Sequence, residues 1–277
     1  KLGFGFVEVG TITPLKQYGN PKPRVFRLVE DEALINRLGF NNHGAEIVKE
    51  RIKRNKKLGL LGINIGPNKD SSDRLNDYLI GLKTFYDDAD YITINISSPN
   101  TENLRTFHEG HKLQDLLKAI MIERKNLKSN VPITVKVSPD INEDQVNQIT
   151  EILLEHEIKA IIVSNTSEAT RDKLSNIQRH QKGGLSGKPI EEKSNHLINK
   201  FYKLLKGKIK IIGVGGVDSG QAAYDKFIAG ADFIQLYTGM VFKGPNIAVI
   251  IKKDLKDLLL RDGVKNFTEI IGNKTLS

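Results

Sequence analysis

Five uncharged hydrogen-bonding side chains fall within seven residues of the stretch ITINISSPNTENLR, Ile92 to Arg105: Asn95, Ser97, Ser98, Asn100 and Thr101. Each buried polar atom of a bound molecule needs a partner, so this cluster suits a ligand with several carbonyl, amide and carboxylate groups. A Ser-Pro-Asn sequence by itself merely initiates a turn. Here it ends a β-branched alternating run, so a strand delivers the cluster into a loop. Asn64 in GINIG and Asn165 with Thr166 in VSNT repeat the design, with amides and a hydroxyl at the end of an apolar run. Lys136 in TVKVS interrupts another such run. Unless that strand lies at a sheet edge, the ammonium has to meet an anion or an electron-rich ring.

Glycine-rich segments add a second kind of chemistry. GVGGVDSG, Gly213 to Gly220, follows an apolar run and precedes a helical pattern, the setting in which backbone N–H groups and a helix N-terminus cradle phosphate. Asp218 occupies the place of the third glycine of the dinucleotide fingerprint, so that motif is not matched. Followed one unit later by QLYTG, Gln235 to Gly239, the segment fits the two-loop phosphate site after strands 7 and 8 of an α/β barrel. GGLSGKP, Gly183 to Pro189, reads as another small-residue loop where a flat ligand can approach the backbone. His108 and His111 in HEGH are one residue short of the H-E-x-x-H zinc pattern, and no metal site is expected.

These residues need strands to carry them. Seven apolar runs recur: FGFVEVG (4–10), LGLLGINIG (58–66), DYITINIS (90–97), PITVKVS (132–138), KAIIVSNT (159–166), KIKIIGVGG (208–216) and DFIQLYTG (232–239). Amphipathic helical patterns separate most of them, including 112–127, 143–156 and 221–230, which predicts parallel βαβ units. A doubly wound sheet and a barrel both satisfy this pattern. The barrel is preferred, because every run ends in polar residues or glycine, whereas an open sheet concentrates its site at one switch point. The fold class is therefore α/β, a (β/α)₈ barrel in one domain over 1–277, with one unit unaccounted for. Thr13 to Asn42 is the longest break, and its alternating runs RVFRLV and ALINRLGF predict a β-hairpin inserted on the active-site face.

Composition narrows the chemistry. The chain of 277 residues has no cysteine, which excludes disulfides, thiolate metal sites and a cysteine acid or base. No apolar run reaches the length of a membrane span, and no secretory signal is recognisable. Forty-two Lys and Arg against 33 Asp and Glu give a net charge of +9. The lysine clusters RIKRNKK (51–57) and KLLKGKIK (203–210) lack interleaved aromatics, so solvated helix faces or attraction to an anionic membrane surface explain the charge, and nucleic acid is not expected as a partner.

Nine motifs in order carry a family resemblance: GFVEVGTITP, NPKPRVFRL, NRLGFNN, NISSPNT, VKVSPD, VSNT, GGLSGKP, IIGVGGVDSG and QLYTG. Over essentially its whole length the chain resembles the dihydroorotate dehydrogenases. The resemblance implies a (β/α)₈ barrel that binds FMN and oxidises dihydroorotate to orotate in de novo pyrimidine (UMP) biosynthesis. It implies FMN contacts at Thr11, Asn64, Asn95, Lys136, Ser164, Ser186, Gly187, Gly215, Gly216, Tyr237 and Thr238, with Lys136 near the isoalloxazine and the late glycine loops on the phosphate. Asn36, Arg37, Leu38, Gly39, Phe40, Asn95, Asn100, Asn165 and Thr166 match the orotate-binding positions, and Ser98 matches the catalytic base. Many relatives carry Thr where this chain has Ser164, which keeps the hydroxyl.

Soluble members use a cysteine base and membrane-associated, quinone-reducing members use serine. Ser98 in a cysteine-free chain therefore resembles the quinone-dependent class, with Arg27 and Tyr237 beside the quinone path. Thr101 is a candidate member of a proton relay from Ser98. The resemblance also implies peripheral membrane association, at a bacterial cell membrane or a mitochondrial inner membrane. Seven strands leave an eight-stranded barrel one short, and Lys1-Leu2-Gly3 reads as a helix end. A strand–helix unit and membrane-resting helices are accordingly expected ahead of Lys1. The alternative reading is another FMN barrel, such as a tRNA-dihydrouridine synthase-like enzyme, whose family uses the cysteine acid that is absent here.

Overall fold

A computed structural model describes residues 2–55, 59–101, 103–169 and 171–273. Lys1, Lys56 and Lys57 of the first basic cluster, and Leu58 at the start of the second apolar run lie outside the described residues. The chain opens with β1 (Phe6–Ile12), followed by β2 (Val25–Leu28), β3 (Ala33–Asn36) and α1 (Ala45–Arg54). Next come β4 (Leu60–Ile65), α2 (Arg74–Phe85), β5 (Tyr91–Asn95), α3 (Gly110–Asn126), β6 (Ile133–Val137) and α4 (Glu143–Glu155). The second half runs β7 (Ala160–Val163), β8 (Gly184–Gly187), α5 (Glu191–Leu205), β9 (Lys210–Val214), α6 (Gly220–Ala229), β10 (Phe233–Gln235), α7 (Thr238–Lys243) and α8 (Ile247–Arg261).

All seven apolar runs are strands of one parallel sheet, in the order β1-β4-β5-β6-β7-β9-β10. The order never reverses, so there is no switch point and the doubly wound alternative is excluded. The sheet curls until its two edges meet through side chains: Gln235 Nε2 on β10 donates to Glu8 Oε2 on β1 at 3.1 Å. Of the expected helix end, Lys1 lies outside the described residues, Leu2 and Gly3 are not helical, and Gly3 has φ 83°.

Alternation along the strands separates two faces. Ile63, Ile65, Ile92, Ile94, Ile133, Val135, Val137, Ile161 and Val163 join Tyr78, Leu82, Leu116, Ile149 and Leu153 of the helices in one core cluster. The intervening residues face the concave side: Asn64, Thr93, Asn95, Thr134 and Lys136 among them, with Asn95 in register with Lys136. On β7 and β9 the same face is apolar, built from Ala160, Ile162 and Ile212. The runs read as continuously apolar in sequence, but their period-two polar residues are what project into the barrel.

Helix ends follow from their caps. Asp73 and Ser219 accept from the N–H groups of Asn76 and Ala222, and Asn142 forms a reciprocal capping box with Gln145. Arg51, Lys53 and Arg54, the described basic residues of the first cluster, are in the last turn of α1. There they favourably meet the negative end of the helix dipole. Exposed Lys203, Lys206 and Lys208 at the end of α5 have the same disposition, which supports solvated faces.

The Thr13 to Asn42 segment does contain the expected hairpin, β2 against β3. GGLSGKP, read as a loop, instead forms β8 and pairs with β3 to make a separate three-stranded antiparallel sheet. Two glycines and a serine have little β-propensity; the exposed edge of β3 supplies the hydrogen bonds that make them a strand. Gly183 and Gly187 bracket it at φ 128° and 99°, conformations that glycine adopts without Cβ strain.

Candidate active site

The strand ends of the barrel converge on a chain of hydrogen-bonded amides and hydroxyls. Thr11 Oγ1, at the end of β1, donates to Asn64 Oδ1 of β4 at 2.7 Å, and Asn95 Nδ2 of β5 donates to Thr11 Oγ1 at 2.8 Å. Asn95 Oδ1 in turn accepts from Ser97 Oγ at 2.9 Å. Ser97 Oγ accepts from Asn165 Nδ2, beyond β7, at 2.9 Å, and Asn165 Oδ1 holds the N–H of Thr166 at 2.7 Å. Beneath Asn95, the phenol of Tyr78 donates to its carbonyl at 2.6 Å. Four strands thus fix one polar surface. Asn64, Asn95, Ser97, Ser98, Thr101 and Ser164 are all buried.

Ser98 follows this network in the β5 loop, 4% exposed, and its Oγ accepts from the N–H of Asn100 at 3.2 Å. Among the described residues Thr101 makes no direct hydrogen bond to Ser98. The Asn100 amide crosses to the hairpin, donating to Asn36 O at 3.1 Å. Strand β8 covers the same loop, since a methyl group at Gly184 would meet both Thr166 and Pro99. Phe40 takes φ 52°, and its ring approaches Gly66 beside Thr11.

The other predicted residues of the hairpin region make contacts of their own. Arg37 stacks 4.6 Å over Phe26 and donates to Gln181 Oε1 and Lys182 O. The carbonyls of Leu38 and Gly39 accept from Asn20 N–H and Gln17 Nε2. Arg27 is on the exposed face of β2, 5.6 Å over the Phe242 ring, and Tyr237 is 68% exposed just ahead of α7. Both adjoin α7, Arg27 through Phe242 and Tyr237 at its N-cap.

The late glycine loops adjoin. A Cβ at Gly239 would meet Val217 O and Asp218, so the loop after β10 packs on the loop after β9. Gly215 and Gly216 have φ 119° and 79°, and among the described residues their N–H groups donate to no protein acceptor. Thr238 Oγ1 donates to Ser186 Oγ at 2.9 Å, joining β8 and Gly187 to the same corner. Lys136, half-buried on the concave face, likewise has no hydrogen-bond or ion-pair partner among the described residues.

Several residues of this region were not singled out in the sequence. Glu8 of β1 accepts from Asn64 Nδ2 at 2.8 Å, Thr93 Oγ1 at 2.9 Å and Tyr91 at 3.1 Å. Burial and this carboxylate raise the Tyr91 phenol's pKa above its ordinary value. The signal that exposed Lys136, a charge inside an apolar run, was equally present in FVEVG. Arg105 clamps the two ligand loops: Nε donates to Ser97 O and Nη2 to Thr166 O, both at 3.2 Å, while Nη1 pairs with Asp140 and Glu168. Burial would raise the Asp140 carboxyl, but hydrogen bonds from Lys193, Ser167 and the Glu168 N–H outweigh it and hold the pKa below its ordinary value. His108 donates through Nδ1 to Arg105 O at 2.9 Å and accepts from Ser138 N–H at Nε2, 3.2 Å. With both ring nitrogens engaged, it braces the loop as a neutral imidazole.

The fold and site define an α/β barrel enzyme architecture, with polar strand ends on one side and amide-presenting glycine loops on the other. The Dihydroorotate dehydrogenase family profile matches residues 1–259. The quinone-type dihydroorotate dehydrogenase of Bartonella tribocorum is 47% identical over 274 residues, covering 97% of this chain and 76% of its own length. That of Agrobacterium fabrum is 44% identical, covering 98% and 76%. The crystal structure of the Eimeria tenella enzyme in complex with ferulenol superposes with a TM-score of 0.95 at 36% identity, covering 99% of this chain and 80% of that one. The chain belongs to the dihydroorotate dehydrogenase family.

Proposed function

We propose that this protein oxidises dihydroorotate to orotate in pyrimidine biosynthesis, with FMN as the hydride acceptor and a quinone as the final electron acceptor. The observation that carries the reading is buried Ser98 one residue beyond an amide network anchored on four barrel strands, in a chain without cysteine. The amides of Asn95, Asn100 and Asn165, with Thr166, orient the substrate's carbonyl, ring N–H and carboxylate groups and hold its C5 proton toward Ser98. Ser98 Oγ removes that proton. Serine is a weak base at neutral pH, so pre-organisation by its neighbours has to supply much of the rate.

The residues present fit FMN. Gly187, Gly215 and Gly216 offer backbone at close approach, and the two late loops present N–H groups without protein acceptors to a phosphate. Lys136 has no counter-charge among the described residues and serves the flavin ring, with Thr11, Asn64, Asn95, Ser164, Ser186 and Thr238 as polar contacts. When bound, FMN supplies the two-electron acceptor for the hydride leaving C6 and passes the electrons on. Arg27 and Tyr237 border the route taken by the quinone. Because quinones reside in membranes, peripheral membrane association belongs to the same proposal. No helix among the described residues is long and apolar enough to cross a membrane.

The test measures orotate formation by purified protein with a soluble quinone analogue, fumarate or NAD as sole oxidant. Turnover with the quinone alone is expected. Preference for fumarate or NAD contradicts the acceptor assignment, and no orotate with any of them contradicts the reaction.

A further inference from the structure

Lys226 on α6 is fully buried, yet nothing in the proposed reaction uses it. Its ammonium donates to Asn195 Oδ1 at 2.7 Å and to Ser194 Oγ at 3.3 Å, both neutral acceptors. Among the described residues no carboxylate pairs with it directly. Holding an ammonium out of water in this way is costly. Burial lowers its pKa to about 8, and the more distant Glu191 and Asp225 carboxylates only partly oppose that shift.

The side chain reaches a specific place. Its stem runs over Gly213 of β9, where a Cβ would come within 2.8 Å of the lysine Cγ and Cδ. Lysine has donors only, so Ser194 Oγ must accept from it and turn its own proton elsewhere. That proton goes to Val214 O, 2.8 Å away, which also accepts from Ser164 N–H at 3.0 Å. The Val214 carbonyl is thereby pinned toward α5. Across a planar trans peptide the N–H lies opposite the carbonyl, so the Gly215 N–H is directed away from the lysine, into the glycine corner. The Gly213–Gly220 segment itself contains Asp218 and no cation.

We propose that Lys226 is a positioning residue for the flavin phosphate: through Ser194 it orients the Val214–Gly215 peptide, and its buried charge makes the site select phosphorylated over unphosphorylated flavin. The inference rests on the FMN reading above. A dianion beside the glycine loops would offset the buried cation, and the cation in turn would polarise the serine–carbonyl chain toward a stronger N–H donor.

The experiment strips flavin from the purified holoenzyme and titrates the protein with FMN or riboflavin, following flavin fluorescence, for wild type, Lys226→Met and Ser194→Ala. Lys226→Met is expected to weaken FMN binding by about tenfold to a hundredfold while riboflavin binding stays within about twofold. Ser194→Ala, a small change that leaves the lysine in place, should move the FMN affinity in the same direction by less. Parallel loss of both flavins, or loss of neither, in Lys226→Met overturns the proposal in favour of a structural lysine. FMN affinity unchanged in Ser194→Ala refutes the relay through the serine. Wild-type protein that binds neither flavin overturns the FMN reading itself and the proposal with it, an outcome distinct from the others.

Discussion

Asn95 and Lys136 are register partners on β5 and β6 and project from the same concave face, yet they are opposites in how they are satisfied. The Asn95 side chain is bonded to Thr11, Asn64 and Ser97, whereas the Lys136 ammonium has no partner among the described residues. An uncompensated charge beside a fully compensated amide marks where the ligand's own polar or π surface has to come.

Replacing Lys136 with Met therefore removes the ring's cationic neighbour. The expected result is partial loss of flavin from the purified protein and a midpoint potential lower by about 30 mV or more, equivalent to about 1.4 kcal/mol for a two-electron couple. Spectroelectrochemical titration reads both quantities. Unchanged flavin content together with an unchanged potential would put Lys136 elsewhere.

Arg27 lies 5.6 Å over the ring of Phe242 on α7. Arg27→Ala should raise the quinone KM by about three- to tenfold, a loss of about 1 kcal/mol as for an exposed cation–π contact, and leave flavin reduction by dihydroorotate unaltered. Steady-state kinetics with varied quinone, beside stopped-flow reduction without it, separates the two. An effect confined to the dihydroorotate half-reaction would contradict the assignment.

His108 carries a pH dependence. Burial lowers its pKa from 6.5 to about 4, more than the hydrogen bond to Arg105 O restores. Between these values the unfolded chain binds more protons than the folded one, so stability is fully present above about pH 6.5 and is lost as pH falls toward 4. The loss amounts to about 3 kcal/mol. Urea titrations at several pH values should show this fall in the wild type and a flatter acid arm in His108→Gln; equal slopes would contradict it.

The barrel was legible because its signals are local. Seven β-rich runs ending in polar residues correspond to β1, β4, β5, β6, β7, β9 and β10, and the alternating runs after Thr13 are the hairpin. Strand β8 was not legible, since Gly184–Gly187 becomes a strand only through the edge of β3. Single residues divide in the same way. Asn64, Asn95 and Lys136 stand out inside apolar runs, and so does Glu8 in FVEVG. Lys226 looks like any lysine on a helix; only the missing Cβ of Gly213 and the position of Ser194 place it beneath the glycine loop. Arg105 closes the polar stretch in sequence, but its hold on both Ser97 and Thr166 exists only once β5 and β7 lie side by side of β6.

Ser98 is the base on which the proposed reaction turns. Anaerobic single-turnover mixing of Ser98→Ala with dihydroorotate measures this directly, because flavin absorbance reports the coupled proton and hydride transfers without any quinone step. The variant should keep bound FMN and wild-type substrate affinity while flavin reduction slows by about 10²- to 10⁴-fold, as expected for a group that acts only in the transition state. Ser98→Cys should recover part of the rate with a lower pH optimum. Reduction of the Ser98→Ala flavin at close to the wild-type rate would contradict the account.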